Sequence, residues 1–449
     1  MASPHVQLSA VGSQHDEPDR TPDRLVVRTV PVSDPGDLIG RLPDARALAW
    51  IRRGDGLVGW GTAARITLPA GPDRFVTGEK WLREIFDGAQ VTDEVSLPGA
   101  GPVAFGSFTF DPASDGSVLI VPQVVLGRRD GRAWLTTMAS AADPGSGSSR
   151  QAEPPDPVPA AMPIVTPATA PGGVLWADGS LTAPQWEQAV SAAVATISAG
   201  GLRKVVLARD LTAMAAHDID ARFLLSRLAA RYPDCYTFAC ADLVGATPEL
   251  LIRREGSQVH SLVLAGTTPR GRTADADDAL GAALLASAKD LDEHEYAVAD
   301  VRAALLPLCD DLQVEPRPTL LRLANLQHLA TAVVGQLADG DSAARSALAL
   351  AAALHPTAAV CGTPAEAAME LIRELEGMDR GRYSGPVGWV DARGNGEWGI
   401  ALRCGLLSGQ QARLFAGCGI VAGSVPAAEL AEAQAKFRPV QQALEGWPD

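Results

Sequence analysis

The sequence predicts an α+β protein built of layered antiparallel sheets and helices. Strand-like and helix-like runs are interleaved without the strict strand–helix–strand alternation that a Rossmann fold or a barrel requires. Near the C-terminus three strand-like runs, 387–390, 397–407 and 413–416, are joined by turns, the first at 391–396, as antiparallel neighbours are. Of 449 residues, 47% are hydrophobic and 20% charged, enough apolar material for a large core in one big domain or two to three ordinary ones.

The net charge of −15 argues against nucleic acid or an anionic membrane as partner. It also means that an anionic substrate would have to be held by cations gathered locally. The six cysteines, Cys235, Cys240, Cys309, Cys361, Cys404 and Cys418, form no CxxC pair and no disulfide framework, which points to a reduced compartment without a zinc site. The first twenty residues have no apolar core of a secretory signal. The apolar run 344–354 is too short for a bilayer and is interrupted by Arg345 and Ser346. A cytoplasmic protein is expected.

In chain order, residues 1–24 are polar and read as a disordered tail. Strands are expected at Leu25–Val32, 47–51, 103–110 and 118–126, with a short helix at 81–86. VAFGSFTF at 103–110 is apolar on both alternating faces, so both should be buried. Residues 141–173, rich in Pro, Gly, Ser and Ala, read as a long surface loop between 25–140 and 174–449. Thr182 should cap a helix reaching about Ser198, with Pro184 in its first turn and Gly200-Gly201 as its stop. Next come a strand at 202–210, a helix at 219–232, a strand at 235–241, a turn at 243–248 and strands at 249–254 and 260–264. A loop, AGTTPRGR, leads into one long helix at 276–307, and helices are expected again at 343–354 and 364–375.

Two helical stretches carry the chemistry. SAKDLDEHEYAVAD, 287–300, puts Asp290 and Glu293 on one face, and PAAELAEAQAK, 426–436, does the same for Glu429, Glu432 and Lys436. Each face by itself reads as solvated. Brought together, the four carboxylates would repel one another unless a hard cation such as Mg²⁺ joined them. Lys204 lies mid-strand in LRKVVLARD; it either snorkels out or is held inside, where it could serve as a base. Glu249, at the mouth of an apolar strand, either faces water or has a raised pKa and acts as an acid. Alternation along 397–407 places Arg403 on a face of small residues, free to fork a carboxylate unless it pairs with Glu397. Gly417 and Gly419 suggest an anion nest near the start of the second helix. His328 in NLQHLAT reads locally as a core histidine.

Together and in this order these stretches resemble the chorismate-utilising enzymes: isochorismate and salicylate synthases, anthranilate synthase large subunits and aminodeoxychorismate synthases. The matching segments are LRKVVLAR, GATPELLIRR, LAGTTPRG, SAKDLDEH, LQHLAT, LHPTAAVCGTP, RYSGPVGWVDARGNGEWGIALR and LFAGCGIVAGSVPAAELAEAQAK, spanning about 200–440. Residues 25–140 match more loosely, through GDGLVGWG and FGSFTFDP. The resemblance implies one chorismate-binding domain over 25–449, of antiparallel sheets and helices around a central cleft.

It further implies that Lys204 activates water at C2 of chorismate and that Glu249 protonates the departing C4 hydroxyl. Glu293 and Glu432 would hold Mg²⁺, with Asp290 and Glu429 beside them. Arg403, Tyr383 and the Gly417–Gly419 backbone would hold the substrate carboxylates, and Lys436, His328 and Thr267 would line the cleft. Lys204 is similar to what water-using members carry. Ala359 stands where salicylate, anthranilate and aminodeoxychorismate synthases resemble one another in having threonine, and where isochorismate synthases have alanine. The expectation is therefore a monomeric, Mg²⁺-dependent isochorismate synthase feeding menaquinone or siderophore biosynthesis. A salicylate synthase is the alternative, and a relative that binds chorismate without turning it over is the non-enzymatic one. One departure is Ala433, where the family's ExxETxxK pattern has threonine; it takes a hydroxyl away from the metal helix.

Overall fold

The computed structural model describes residues 18–22, 24–141, 165–338 and 345–446. Two large sheets, of 13 and 10 strands, carry helices around them, and the layered antiparallel α+β architecture is as expected. Among the described residues every strand pairing is antiparallel except that of Leu25–Val32 with Gln90–Asp93. Aromatic side chains fill the interior: Trp50 packs on Phe238, and Phe108 packs between Phe75 and Trp398. All five residues of Val103–Ser107 are buried, as the two-sided apolar run required.

The chain repeatedly leaves one sheet for the other, and several expected elements change at those points. The run 118–126 is two strands, Ser117–Val121 in the smaller sheet and Val124–Arg129 in the larger, split at Pro122, which has no N–H to give a ladder. The run 397–407 likewise divides into Gly396–Ile400 in the smaller sheet and Cys404–Ser408 in the larger. The expected turn at 243–248 is instead the strand Leu243–Thr247; the turn precedes it, at Ala241 and Asp242, both with positive φ. Two such residues make a type I′ hairpin, and an alanine there gives no sequence signal for it.

The long helix expected over 276–307 is two helices, Ala274–Ala286 and Ala288–Leu305. Ser287 breaks the run: its backbone is extended and its hydroxyl accepts from Asp290 N–H, an N-cap for the second helix. The loop AGTTPRGR mostly continues the strand Gln258–Pro269, bulged at Gly266, which pairs with a strand not foreseen, Leu326–Leu337. Arg74–Asp87 and Pro426–Glu445 are longer than the expected helices, and Ala347–Leu354 starts after residues 339–344, which lie outside the described set.

Most of the expected tail (1–17 and 23) and of the 141–173 loop (142–164) also lies outside the described residues. Residues 19–21 are docked rather than free: Asp19 accepts from Thr67 N–H, Arg20 bridges Arg65, and Thr21 accepts from Trp81 Nε1.

One buried pair fixes a strand next to the edge of the larger sheet. Glu376 accepts from Arg380 Nε (2.9 Å) and from Ala208 N–H (2.7 Å), and Arg380 donates to Val206 O and Val360 O (2.8 and 2.9 Å). This pair ties the strand Lys204–Ala215 to the segment that carries Ala359.

Candidate active site

Two neighbouring crossings between the sheets form the centre of one cleft. Leu243–Thr247 passes through Pro248-Glu249 into Leu250–Glu255, and Gly396–Ile400 passes through 401–403 into Cys404–Ser408. The crossings are stitched together by Ile400 N–H to Glu249 O (3.3 Å) and Ala246 N–H to Arg403 O (3.2 Å). Glu249 is 6% exposed, and burial pushes its carboxyl up to about 8 against the opposing charges of Arg403, Lys204 and Lys436. It therefore carries a proton at neutral pH.

Arg403 does not sit on a strand face, as alternation suggested. It is the last residue of a crossing, with φ at +48°, and the break resets the alternation. Nor does it pair with Glu397, which is taken by Trp50 Nε1, Arg129 and Arg253. Its guanidinium makes no ion pair among the described residues and lines the cleft.

Lys204, 0% exposed, opens the strand Lys204–Ala215 and forms an ion pair with Glu293 at 3.0 Å. Burial raises the Glu293 carboxyl, but the Lys204 charge and hydrogen bond, with Lys436 and Lys289, outweigh it and hold the carboxyl below its ordinary value. Lys204 thus sits behind Glu293 rather than on the cleft wall. Gly417 and Gly419 form no nest. Both lie in the strand Gln411–Ile420, paired with Ala208 and Val206. What Gly419 provides is space: a Cβ there would come within 2.4 Å of Glu293 Oε1 and 3.1 Å of Lys204 Cε.

The two carboxylate helices do meet. Ala288–Leu305 brings Asp290 and Glu293, and Pro426–Glu445 brings Glu429 and Glu432, to the same cleft. Three of the four are each matched by a lysine: Glu293 by Lys204, Glu432 by Lys436 at 2.6 Å, and Glu429 by Lys289 at 3.6 Å. Asp290 is held by the Ser287 hydroxyl. Burial works against the Lys436 charge, yet Glu432 raises its pKa overall, and its ammonium also donates to Gly417 O at 2.8 Å. The Glu429 carboxyl is raised by burial and by the charge of Glu432, against a hydrogen bond from Ser424 and the charges of Lys289 and Lys436.

Cys418 lies within 4.8 Å of both Glu429 and Glu432, but burial raises its thiol well above the ordinary value and it donates to Glu429 O. The sulfur is therefore a protonated donor, and the available ligands are all carboxylate oxygens. Such a set fits a hard cation such as Mg²⁺.

The remaining wall is polar and fixed. Thr267 and His328 face each other across paired strands, with Oγ1 to Nδ1 at 3.0 Å. His328 is not a satisfied core histidine: its Nε2 is buried without a partner, and burial, with Arg403 and Lys436 nearby, drives its pKa well below the ordinary value. Tyr383 stacks on Phe415, and its hydroxyl is 3.3 Å from where a Gly417 Cβ would lie. Ala359 completes the lining beside Val360. Sequence reading missed Lys289, Ser384 and Leu402, which also line the cleft. Lys289 had a signal, since it precedes Asp290 in the carboxylate helix.

The chorismate binding enzyme family matches residues 39–445. The chain belongs to that family. It is 42% identical over 270 residues to isochorismate synthase DhbC of Bacillus subtilis, covering 58% of this chain and 67% of that one. Isochorismate synthase MenF of the same organism is 34% identical over 400 residues, 82% of this chain and 80% of the relative. The structure of MenF, the menaquinone-specific isochorismate synthase from Escherichia coli, superimposes with a TM-score of 0.76 at 25% identity, over 95% of this chain and 96% of that one. Membership in a chorismate-binding family implies a small-molecule substrate, and among the described residues no helix is long and apolar enough to cross a membrane.

The packing of Gly419 generates a prediction for this family site. Gly419→Ala should fold normally but lose activity by on the order of 10²-fold, since a displacement of about 1 Å in a catalytic group costs that much. Near-wild-type kcat in the alanine variant would show that Glu293 and Lys204 do not need their present positions.

Proposed function

We propose that this chain is an isochorismate synthase: it isomerises chorismate to isochorismate by adding water at C2 and expelling the C4 hydroxyl. The observation that carries the reading is Glu249, a carboxyl kept protonated to about pH 8, facing the same cleft as Arg403 and the four carboxylates. A leaving hydroxyl needs such an acid. Relatives named as isochorismate synthases, across menaquinone and siderophore types, support the assignment.

In this reading Arg403 forks a substrate carboxylate, with Tyr383 and Lys436 beside it. His328, neutral and held by Thr267, directs Nε2 at the ligand. Glu249 gives its proton to the C4 oxygen. Lys204 takes the proton from water, for which its pairing with Glu293 has to loosen, because only the neutral amine is a base. Glu293, Glu432, Asp290 and Glu429 would hold Mg²⁺, which would supply positive charge for an anionic substrate. The enolpyruvyl ether stays attached: Ala359 has no hydroxyl with which to fix the pose for a further proton shift to that side chain.

A coupled assay tests the product. Chorismate with Mg²⁺, lactate dehydrogenase and NADH should yield no pyruvate until an isochorismate-specific lyase is added, and EDTA should abolish turnover until Mg²⁺ is restored. Prompt stoichiometric pyruvate with salicylate would instead make this a salicylate synthase.

The pH dependence tests the acid. The raised Glu249 value means that the acid is loaded below about pH 8 and empties above it. kcat/KM should therefore fall about tenfold per unit above that point. Glu249→Gln should lower the rate by on the order of 10²–10⁴ and remove this limb. The same shift favours the fold fully below the ordinary carboxyl value of 4.5, and that contribution is lost as pH rises from there through about 8, so over that interval the glutamine variant should lose less stability than the wild type. A wild-type rate that is flat to pH 9.5 would remove Glu249 from the role of acid.

A further inference from the structure

A second cavity, of about 750 Å³, shares no residue with the cleft. It lies beside the 241–242 turn and under the short bridge between Arg20 and Arg65. Its size suits a metabolite. Leu48, Ile120, Val244 and Leu407 give it an apolar wall.

Into this space faces Arg65, from the strand Ala64–Leu68. The residue is only 8% exposed, and its backbone is occupied by Arg20, N–H to O in both directions. The guanidinium has no such company: Nε–H is enclosed without an acceptor, and among the described residues no carboxylate forms an ion pair with it. The carboxylates on the rim do not relieve it. Asp19 accepts from Thr67 N–H instead, and Asp44, Asp218 and Asp242 line the cavity without an ion pair to Arg65 among the described residues. A second guanidinium, that of Arg382, is anchored close by on Cys240 O and Ala241 O, with the opposite charge of Asp242 acting on it. Leaving a buried charge unpaired is costly, whereas a carboxylate matches a guanidinium fork in two parallel hydrogen bonds.

We propose that this cavity is a second ligand site, taking a small organic carboxylate with a compact apolar body whose charged end pairs with Arg65. The apolar wall distinguishes such a ligand from inorganic anions, and the guanidinium distinguishes it from neutral rings.

The test uses the full-length protein with sodium benzoate as probe and benzamide and inorganic phosphate as controls, read by calorimetric titration and thermal unfolding. It is run in an Arg403→Met background so that binding in the cleft is not counted. One equivalent of benzoate should bind and raise the melting temperature. Adding Arg65→Met should weaken binding at least tenfold and abolish the rise, while benzamide and phosphate should bind at least tenfold more weakly than benzoate. Without ligand, Arg65→Met should melt at or above the temperature of its parent, because it removes an uncompensated buried charge. The proposal fails if benzoate does not bind the Arg403→Met protein, or binds equally well after Arg65→Met. It fails if ligand-free Arg65→Met melts several degrees lower, which would reveal an internal counter-ion. Phosphate or benzamide matching benzoate would overturn the ligand class.

Discussion

The ion pair between Lys204 and Glu293 is the constraint around which the cleft is arranged. An ammonium buried to the last atom must have a counter-charge, and the pair needs room that only a glycine at 419 leaves. The same balance runs through the whole cleft. Lys204, Lys289, Lys436 and Arg403 make four cations, set against four carboxylates, Asp290, Glu293, Glu429 and Glu432. With Glu249 protonated the sum is zero. A dianionic ligand accompanied by a divalent cation keeps that sum unchanged. This is how a chain of net charge −15 offers an anion a hospitable site: the whole-chain field is offset locally, within a few ångströms.

Topology brings the charges together. Glu249 and Arg403 belong to neither sheet but to two adjacent crossings, where the backbone leaves one ladder and enters the other. A residue there is fixed by hydrogen bonds on both sides while its side chain is free of cross-strand neighbours. The positive φ of Arg403 is part of that geometry, and the bulge at Gly266 serves the facing wall: a Cβ at Gly266 would lie 3.2 Å from Asp290 Cβ, so glycine lets the helix Ala288–Leu305 approach. His294 secures the same helix through Ala265 O and Thr331.

Much of this site was legible in the sequence. Helical spacing alone put Asp290 with Glu293 and Glu429 with Glu432, and the structure brings both pairs to one cleft. The motif resemblance gave roles to Lys204, Glu249 and Arg403; Glu249 and Arg403 line the cleft, and Lys204 lies behind its wall, paired with Glu293. Less legible was how they converge. Alternation assigned Arg403 a strand face because nothing local marks a change of sheet at 401–403. Helix propensity ran straight through Ser287, whose capping hydroxyl competes with it only once tertiary contacts favour the break. Ala241 takes a turn conformation that its side chain disfavours, so the strand after it read as a turn. Arg65 was invisible for another reason: a missing partner is a property of three-dimensional surroundings, and no spacing encodes it.

The chemistry assigned to Lys204 and Glu249 is a replacement of one hydroxyl by another derived from water. The most direct measurement is turnover of chorismate in H₂¹⁸O, with the product analysed by mass spectrometry after a single passage to low conversion. Isochorismate carrying one ¹⁸O, at C2, with the enolpyruvyl group intact is the result expected from a base that activates water on one side of the ring and an acid that releases the C4 hydroxyl on the other. Unlabelled isochorismate would mean that the original hydroxyl migrates within the substrate, and would contradict the roles given to both residues.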